Sequence, residues 1–334
     1  MTAPVTERWP FVVASFGLLV AAVLIAPLIG SSRIDFARAF DVRAPFDQNV
    51  DAQIFFIARL PRALAAALVG ASLAAAGVVF QALLRNPLAT PYTLGVSTGA
   101  SLGAMLAITF GWTLPLLAIP AVSASALIGA LVSVLIVYWL ARARHAGLST
   151  TVLLLAGVTL NAFFSALILF VQYIGNFADI YRAMRWLMGS LDVSSYRPLA
   201  GALPFVVLAS AIFVWLARPL NLMAAGPDAA ASRGLNVQRT QRLAFFSASI
   251  ITGAAVSVGG PIGFVGIIVP HLVRLVAGAD HRIVLPAAAF GGGAFLVACD
   301  VIARTIIAPV ELPVGIVTAT IGGPFFLWML IRGK

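Results

Sequence analysis

Lysine is almost missing from this sequence: Lys334, the last residue, is the only one. A phosphate-cradling loop of the form GxxxxGK followed by Ser or Thr needs a lysine at its heart, so that route to ATP is closed to this chain. Charge of either sign is scarce, at 10 % of 334 residues against about 25 % in soluble domains. Cys299 is the lone cysteine, which excludes an internal disulfide and a cysteine-based metal cluster. It lies in an apolar run and reads as a small packing residue. His145, His271 and His281 are far apart and form no HExxH, so no set of metal ligands emerges. No serine or cysteine stands in a nucleophile motif. The net charge of +10 comes from arginines scattered singly between apolar runs. They make no stripe or arm of the kind a nucleic acid needs and read as loop charges that set membrane orientation and meet lipid headgroups.

What is abundant is apolar surface: 61 % of residues are hydrophobic and the mean hydropathy is +1.05. So few charges cannot cover a water-facing surface, and the surrounding solvent is therefore lipid. A helix crossing the hydrocarbon core takes roughly 20 apolar residues, and the chain holds about ten such runs. They are 11–30, 63–84, 94–110, 116–140, 152–173, 199–216, 243–258, 267–277, 284–307 and 314–331. Continuous runs of this kind are not period-two β-barrel strands. The expected fold is an all-α polytopic membrane protein, one transmembrane domain over residues 1–334, with several helices short or broken. Arg8 ahead of the first run has the order of a signal peptide, but the run is too long and lacks a cleavage site, so it reads as an uncleaved span.

Ten spans put both termini on one side. If that side is the cytoplasm, it carries Arg8, Arg85, Arg142, Arg144, Arg218, Arg233, Arg239, Arg242, Arg274, Arg282, Arg332 and Lys334, twelve bases against nine outside. The majority favours termini inside. The nine outer arginines, among them Arg59, Arg62 and Arg304, call for another explanation.

Three polar stretches look deliberate. Arg59-Leu-Pro-Arg62 flanks the expected start of the second span, with Pro61 suited to a first helical turn. Cations are disfavoured at a helix N-terminus, so the pair invites an acidic partner; snorkelling to lipid headgroups is the alternative. Asp300 and Arg304 stand four apart on one helix and read as an internal ion pair. Arg85-Asn-Pro-Leu-Ala-Thr-Pro91 is a stiff turn, mirrored at His145–Thr151. In 218–242, Gly226-Pro227-Asp228 starts and Gly234 stops a short helix over 227–233, a surface rest or a docking knob. Glycines such as Gly70, Gly77, Gly266 and Gly292 suit close helix packing in lipid.

Together these stretches resemble one family. Arg59-Leu-Pro-Arg, Gln81-Ala-Leu-Leu-Arg-Asn-Pro-Leu-Ala and Leu94-Gly-Val-Ser-Thr-Gly-Ala look like the permease subunits of ABC importers for vitamin B12, iron-siderophores and haem. The likeness continues through Leu153-Leu-Leu-Ala-Gly, Trp186-Leu-Met-Gly-Ser-Leu, Gly263-Phe-Val-Gly-Ile-Ile-Val-Pro-His, Asp280-His-Arg and Glu311-Leu-Pro-Val-Gly-Ile-Val-Thr-Ala-Thr-Ile-Gly-Gly-Pro.

The resemblance implies a ten-span permease of the bacterial inner membrane that pairs with a second permease subunit, expected to be identical. It also implies two ATP-binding subunits inside, which hold the ATP and Mg, and a periplasmic substrate-binding protein outside. The chain itself is then not an enzyme and holds no cofactor. By the same resemblance, Arg59, Arg62 and Arg304 dock the binding protein. Asn86, Pro87 and Leu88 with Ser149, Thr150 and Thr151 form the cytoplasmic gate. Gly226, Pro227, Asp228, Ala229, Ala230, Ala231, Ser232, Arg233, Gly234 and Leu235 form the helix that couples to the ATPase. Arg233 departs from the family, which has an apolar residue before this glycine. Ser97, Thr98, Ser101 and Thr159 are expected to line the path. The cargo reads as a bulky iron chelate, siderophore or haem, with vitamin B12 as the alternative. An ion-coupled secondary transporter and a passive channel are the competing classes.

Overall fold

The computed structural model describes residues 8–30, 32–41, 43, 45–113, 119–143 and 149–332. Twelve helices organise the described residues: α1 (Trp9–Ile25), α2 (Leu60–Leu84), α3 (Val96–Thr109), α4 (Ala121–Ala143), α5 (Thr150–Ile174), α6 (Phe177–Leu187), α7 (Arg197–Met223), α8 (Pro227–Ala231), α9 (Val237–Gly259), α10 (Val265–Ala277), α11 (His281–Thr305) and α12 (Val314–Arg332). Brief helical turns at Phe36–Ala39 and Val50–Gln53 cap the segment before α2. No strand occurs among the described residues. Seven of the helices are long and apolar enough to cross a membrane, and α3, α10 and α12 supply shorter apolar ones. Each of the ten expected runs thus has its helix, and the short or broken ones are among those foreseen. The protein is a multi-pass, all-helical membrane protein.

Burial divides the bundle into a centre and a rim. The span containing α2 is 78 % buried, α9 78 % and α11 67 %, whereas α1 and α7 are 22 % buried. Apolar side chains such as Val13, Leu155, Phe170 and Val214 are exposed on the rim helices, as a lipid solvent allows. Hydrophobic burial does little to drive helices together in lipid, so close backbone contact does that work. A Cβ on Gly70 would lie 2.2 Å from the Gly292 carbonyl oxygen, and one on Gly77 2.1 Å from that of Gly266. Those glycines let α11 and α10 lie directly against α2.

Two expectations change. First, the helix containing α2 does not begin at Pro61. A continuous helical run extends from Val50 to Leu84, with a wide π-turn over Ile54–Arg59. Pro61 has no N–H to give the preceding turn, and the helix widens just before it. Arg59 and Arg62 therefore sit within a helix rather than at its N-terminus, and no dipole penalty applies to them. Second, the amphipathic helix α6, capped by Asn176 on the Asp179 amide, lies between the fifth and sixth spans where only a connection was expected. It was invisible to a search for long apolar runs. Arg144, His145 and Lys334, and most of the turn His145–Thr151, lie outside the described residues.

Candidate functional site

At one end of α2, five charged side chains meet. Arg62 Nε donates to Asp300 Oδ1 at 2.9 Å and Oδ2 at 3.2 Å, and its Nη1 donates to Glu311 Oε2 at 2.5 Å. Arg304 lies with its Nε 3.7 Å from Asp300 Oδ2 and donates from Nη2 to the Ala26 carbonyl at 2.7 Å. Arg59 donates to the carbonyls of Pro27, at 3.1 Å, and Ser32. The turn bearing Glu311 is tied to α11 by Leu312 N–H on the Ala303 carbonyl, 2.9 Å. Asp300 is thus shared, and its shorter contact is to Arg62, 238 residues away, not to Arg304 four residues on. The i, i+4 pairing read from the sequence is the weaker of the two.

The three arginines expected on a free outer surface are instead turned inward: Arg59, Arg62 and Arg304 are 6 %, 9 % and 4 % exposed. Buried charges need paired and hydrogen-bonded surroundings, and here the chain supplies them itself. Three guanidinium groups against two carboxylates leave one positive charge in excess. Of the carboxylates, Glu311 alone opens to the surroundings, its side chain 41 % exposed.

At the other end of α2, Arg274 of α10 donates to the buried Gln81, and the remaining polar segments are uncharged or solvated. Arg85 takes a left-handed conformation (φ 48°) that stops the helix. Asn86 Oδ1 accepts the Leu88 amide at 2.9 Å, which folds Asn86, Pro87 and Leu88 into a tight turn with Pro87 and Leu88 exposed. Ser149, Thr150 and Thr151 open α5, the Ser149 carbonyl accepting the Leu153 amide at 2.9 Å. Gly226 (φ 107°) turns the chain into α8 and Gly234 (φ 81°) turns it out, with open space around both. The helix proper is Pro227–Ala231, and Ser232, Arg233 and Gly234 form its closing turn, with Leu235 N–H on the Ala230 carbonyl at 3.1 Å. Ala230 is buried while Asp228, Ala231, Ser232, Arg233 and Gly234 face outward. Nearby, Asp280 caps α11 and binds Asn221 of α7. Hydrogen bonding from Arg282 holds the Asp280 carboxyl well below the usual carboxylate range.

Between Leu84 and α3 the chain runs non-helical inside the bundle. The 3-10 turn Pro91–Leu94 leads to Gly95 (φ 78°), where α3 starts. Asn161 of α5 donates from Nδ2 to the Tyr92 carbonyl at 2.7 Å, and its Oδ1 accepts the Thr98 hydroxyl. Ser133 of α4 donates to the Gly95 carbonyl at 2.7 Å. Of the residues expected to line a path, Ser97 and Ser101 are instead buried, 2 % and 3 % exposed. Thr98 is engaged with Asn161, and Thr159 is exposed with its hydroxyl returned to the Leu155 carbonyl.

The model of the FecCD transport family matches residues 18–332. The chain belongs to the FecCD family. This FecCD chain is 39 % identical to the hemin transport system permease protein HmuU of Yersinia pestis, over 95 % of each chain. It is 47 % identical to the cobalamin import system permease protein BtuC of Halobacterium salinarum, over 81 % of this chain and 72 % of that one. It is 38 % identical to an uncharacterised ABC transporter permease, YvrB, of Bacillus subtilis strain 168, over 98 % and 94 %. Among solved structures it matches one described as an inward-facing metal-chelate type ABC transporter, with TM-score 0.82 and 31 % identity, over 98 % of this chain and all of that one. The resemblance to importer permeases read from the sequence motifs is the family found, and the FecCD chain is an ABC importer permease.

Sequence reasoning missed two contributors to these sites. Glu311 was read only as the start of a motif, because nothing along the chain tells which helix its turn packs against. Asn161 is a lone amide within an apolar run, and a polar residue inside a span is itself a signal of function or packing.

Proposed function

We propose that this chain is the membrane-spanning subunit of an ATP-driven importer that passes a bulky iron chelate, siderophore or haem, from a periplasmic binding protein to the cytoplasm. What carries the cargo reading is the likeness to the hemin permease over 95 % of both chains. Vitamin B12 is the second reading, favoured by the higher identity to the halobacterial cobalamin permease. In this proposal the chain pairs with a copy of itself in the bacterial inner membrane, both termini inside. Two ATPase subunits bind the ATP and Mg, and transport is by alternating access at the dimer interface.

The Arg62 end then faces the periplasm and the Asn86 end the cytoplasm. The binding protein docks at the arginine cluster, whose excess positive charge attracts an acidic residue beside the accessible Glu311. Residues 226–235 seat in a cleft of the ATPase through the outward face of Asp228, Ser232 and Arg233. The turns at Asn86–Leu88 and Ser149–Thr151 gate the cytoplasmic mouth.

The test is reconstitution in vesicles with the ATPase subunits and the binding protein of the same importer. ATP hydrolysis is expected to rise with the loaded binding protein, and the ligand that co-purifies with that protein is expected to show an iron-chelate or haem spectrum. A cobalamin spectrum replaces the first cargo with the second. Uptake by this chain alone, abolished by an ionophore, refutes the ATP-driven mechanism.

A further inference from the structure

A membrane interior offers no water, so non-helical backbone there must find every partner within the protein. Residues 90–98 meet that demand partly among themselves, Thr93 donating from N–H and Oγ1 to the Thr90 carbonyl and Gly99 N–H to the Gly95 carbonyl, and otherwise with side chains of two neighbouring helices. Asn161 takes the Tyr92 carbonyl at 2.7 Å and receives the Thr98 hydroxyl, and Ser133 takes the Gly95 carbonyl at 2.7 Å. A carboxamide is suited to this place because it offers a donor to the stretch before Gly95 and an acceptor to the stretch after it. One turn earlier on α5, Gly157 lets the chain come close: a Cβ there would sit 2.3 Å from the Thr93 carbonyl oxygen. The side chains that grip the stretch from outside it are therefore those of α4 and α5.

Those two helices flank the connection that ends in Ser149–Thr151. The stretch they grip carries Asn86–Leu88 at its other end. Ala89, Thr90 and Pro91, which join Leu88 to Tyr92, are all buried, and Pro91 fixes one of the intervening dihedrals. A displacement of α5 is thus handed to the first turn through a short, stiff connection. We propose that Asn161 is the positioning residue of a latch that makes the turn at Asn86–Leu88 and the start of α5 at Ser149–Thr151 move as one unit within a protomer. This rests on the reading of those two segments as the cytoplasmic gate.

The test uses the chain assembled with its ATPase subunits in proteoliposomes, in a Cys299→Ser background, with Leu88→Cys or Thr151→Cys as the single thiol. Labelling by a membrane-impermeant maleimide is followed with and without trapped ATP. Asn161→Leu is expected to raise labelling at position 88 roughly fivefold in the nucleotide-free state, the scale on which losing interhelical hydrogen bonds shifts a local opening. Position 151 stays within about twofold of its starting rate, whereas a generally loosened fold raises both alike. Thr98→Val removes one of the two bonds and serves where Asn161→Leu fails to assemble. It gives a smaller rise in the same direction, and Thr98→Ser restores the original rate. Unchanged labelling at position 88 in Asn161→Leu or Thr98→Val, or an equal rise at both positions, overturns the latch. A rise at 88 with no nucleotide dependence at either position in any background leaves the latch standing and removes the gate reading.

Discussion

One end of α2 and the non-helical stretch that follows its other end solve the same problem with different chemistry. At one end Arg59, Arg62 and Arg304 are buried with Asp300, and Arg62 also pairs with the exposed Glu311. At the other, Asn161, Thr98 and Ser133 hold backbone carbonyls with no charge among them. A buried ion pair is strong only while both members are present, because removing one strands the other in a low dielectric. A neutral hydrogen bond within a membrane bundle contributes far less and costs far less to lose. The charged end therefore suits a rigid rim that answers to an incoming charge, and the neutral end suits a joint that must shift without a large electrostatic barrier.

The sharpest way to break this contrast is at Asp300. Asp300→Leu leaves Arg62 and Arg304 facing each other without their shared acid and is expected to cost about 3–5 kcal/mol, seen as a large fall in the thermal unfolding temperature in detergent. Arg62→Met combined with Asp300→Leu is expected to recover much of that loss, since a matched apolar pair removes both charges. Equal destabilisation by the single and double variants would show that the cluster is not held by charge. At the neutral end, Asn161→Leu is expected to cost about 1–2 kcal/mol, with little dependence on salt. A loss as large as that of Asp300→Leu would erase the distinction between the ends.

The contrast also marks what the amino-acid pattern could disclose. Runs of apolar residues announced ten apolar helices, seven of them long enough to cross a membrane, because lipid imposes length and composition on a span. Gly226 and Gly234 announced α8 because positive φ is a local need. Asp300 was seen, but its nearest neighbour along the helix took the place of its true partner, Arg62, since spacing within one helix says nothing about which helix packs alongside. For the same reason the arginines of Arg59-Leu-Pro-Arg62 read as surface charges. Their burial depends on Pro27, Ser32, Asp300 and Glu311 converging from three other segments. Asn161 is a lone amide within an apolar run, but its partners come into view only where the chain breaks helix at Pro91–Gly95 beside it.

A smaller effect is expected where the neutral end does contain a charge. Asp280 accepts the Arg282 amide at 2.9 Å as the cap of α11, and Asp280→Ala is expected to cost about 1 kcal/mol. Because hydrogen bonding from Arg282 lowers the folded carboxyl below its unfolded value, the electrostatic part is complete above about pH 4, the unfolded range. It is lost only as the pH falls toward the lowered folded value. The difference between wild type and variant in thermal scans is thus expected to stay flat from about pH 5 to 8. A difference that grows or shrinks through that window would assign it to another group.

The finest separation of the two ends comes from Glu311, the one acid of the cluster open to the surroundings. In the proposed arrangement it competes with the binding protein's acid for Nη1 of Arg62. Glu311→Gln keeps the shape and the hydrogen-bond acceptor but raises the excess charge of the cluster from one to two. Docking of the binding protein is then expected to tighten by about threefold at low salt, chiefly through faster association, with the gain vanishing as salt rises. Labelling at position 88 near the neutral end is expected to stay unchanged, because no charge links the two ends of α2. Weaker docking would mean that Glu311 itself contacts the partner. Indifference would move docking away from this cluster, toward the exposed Arg182 and Arg185 of α6.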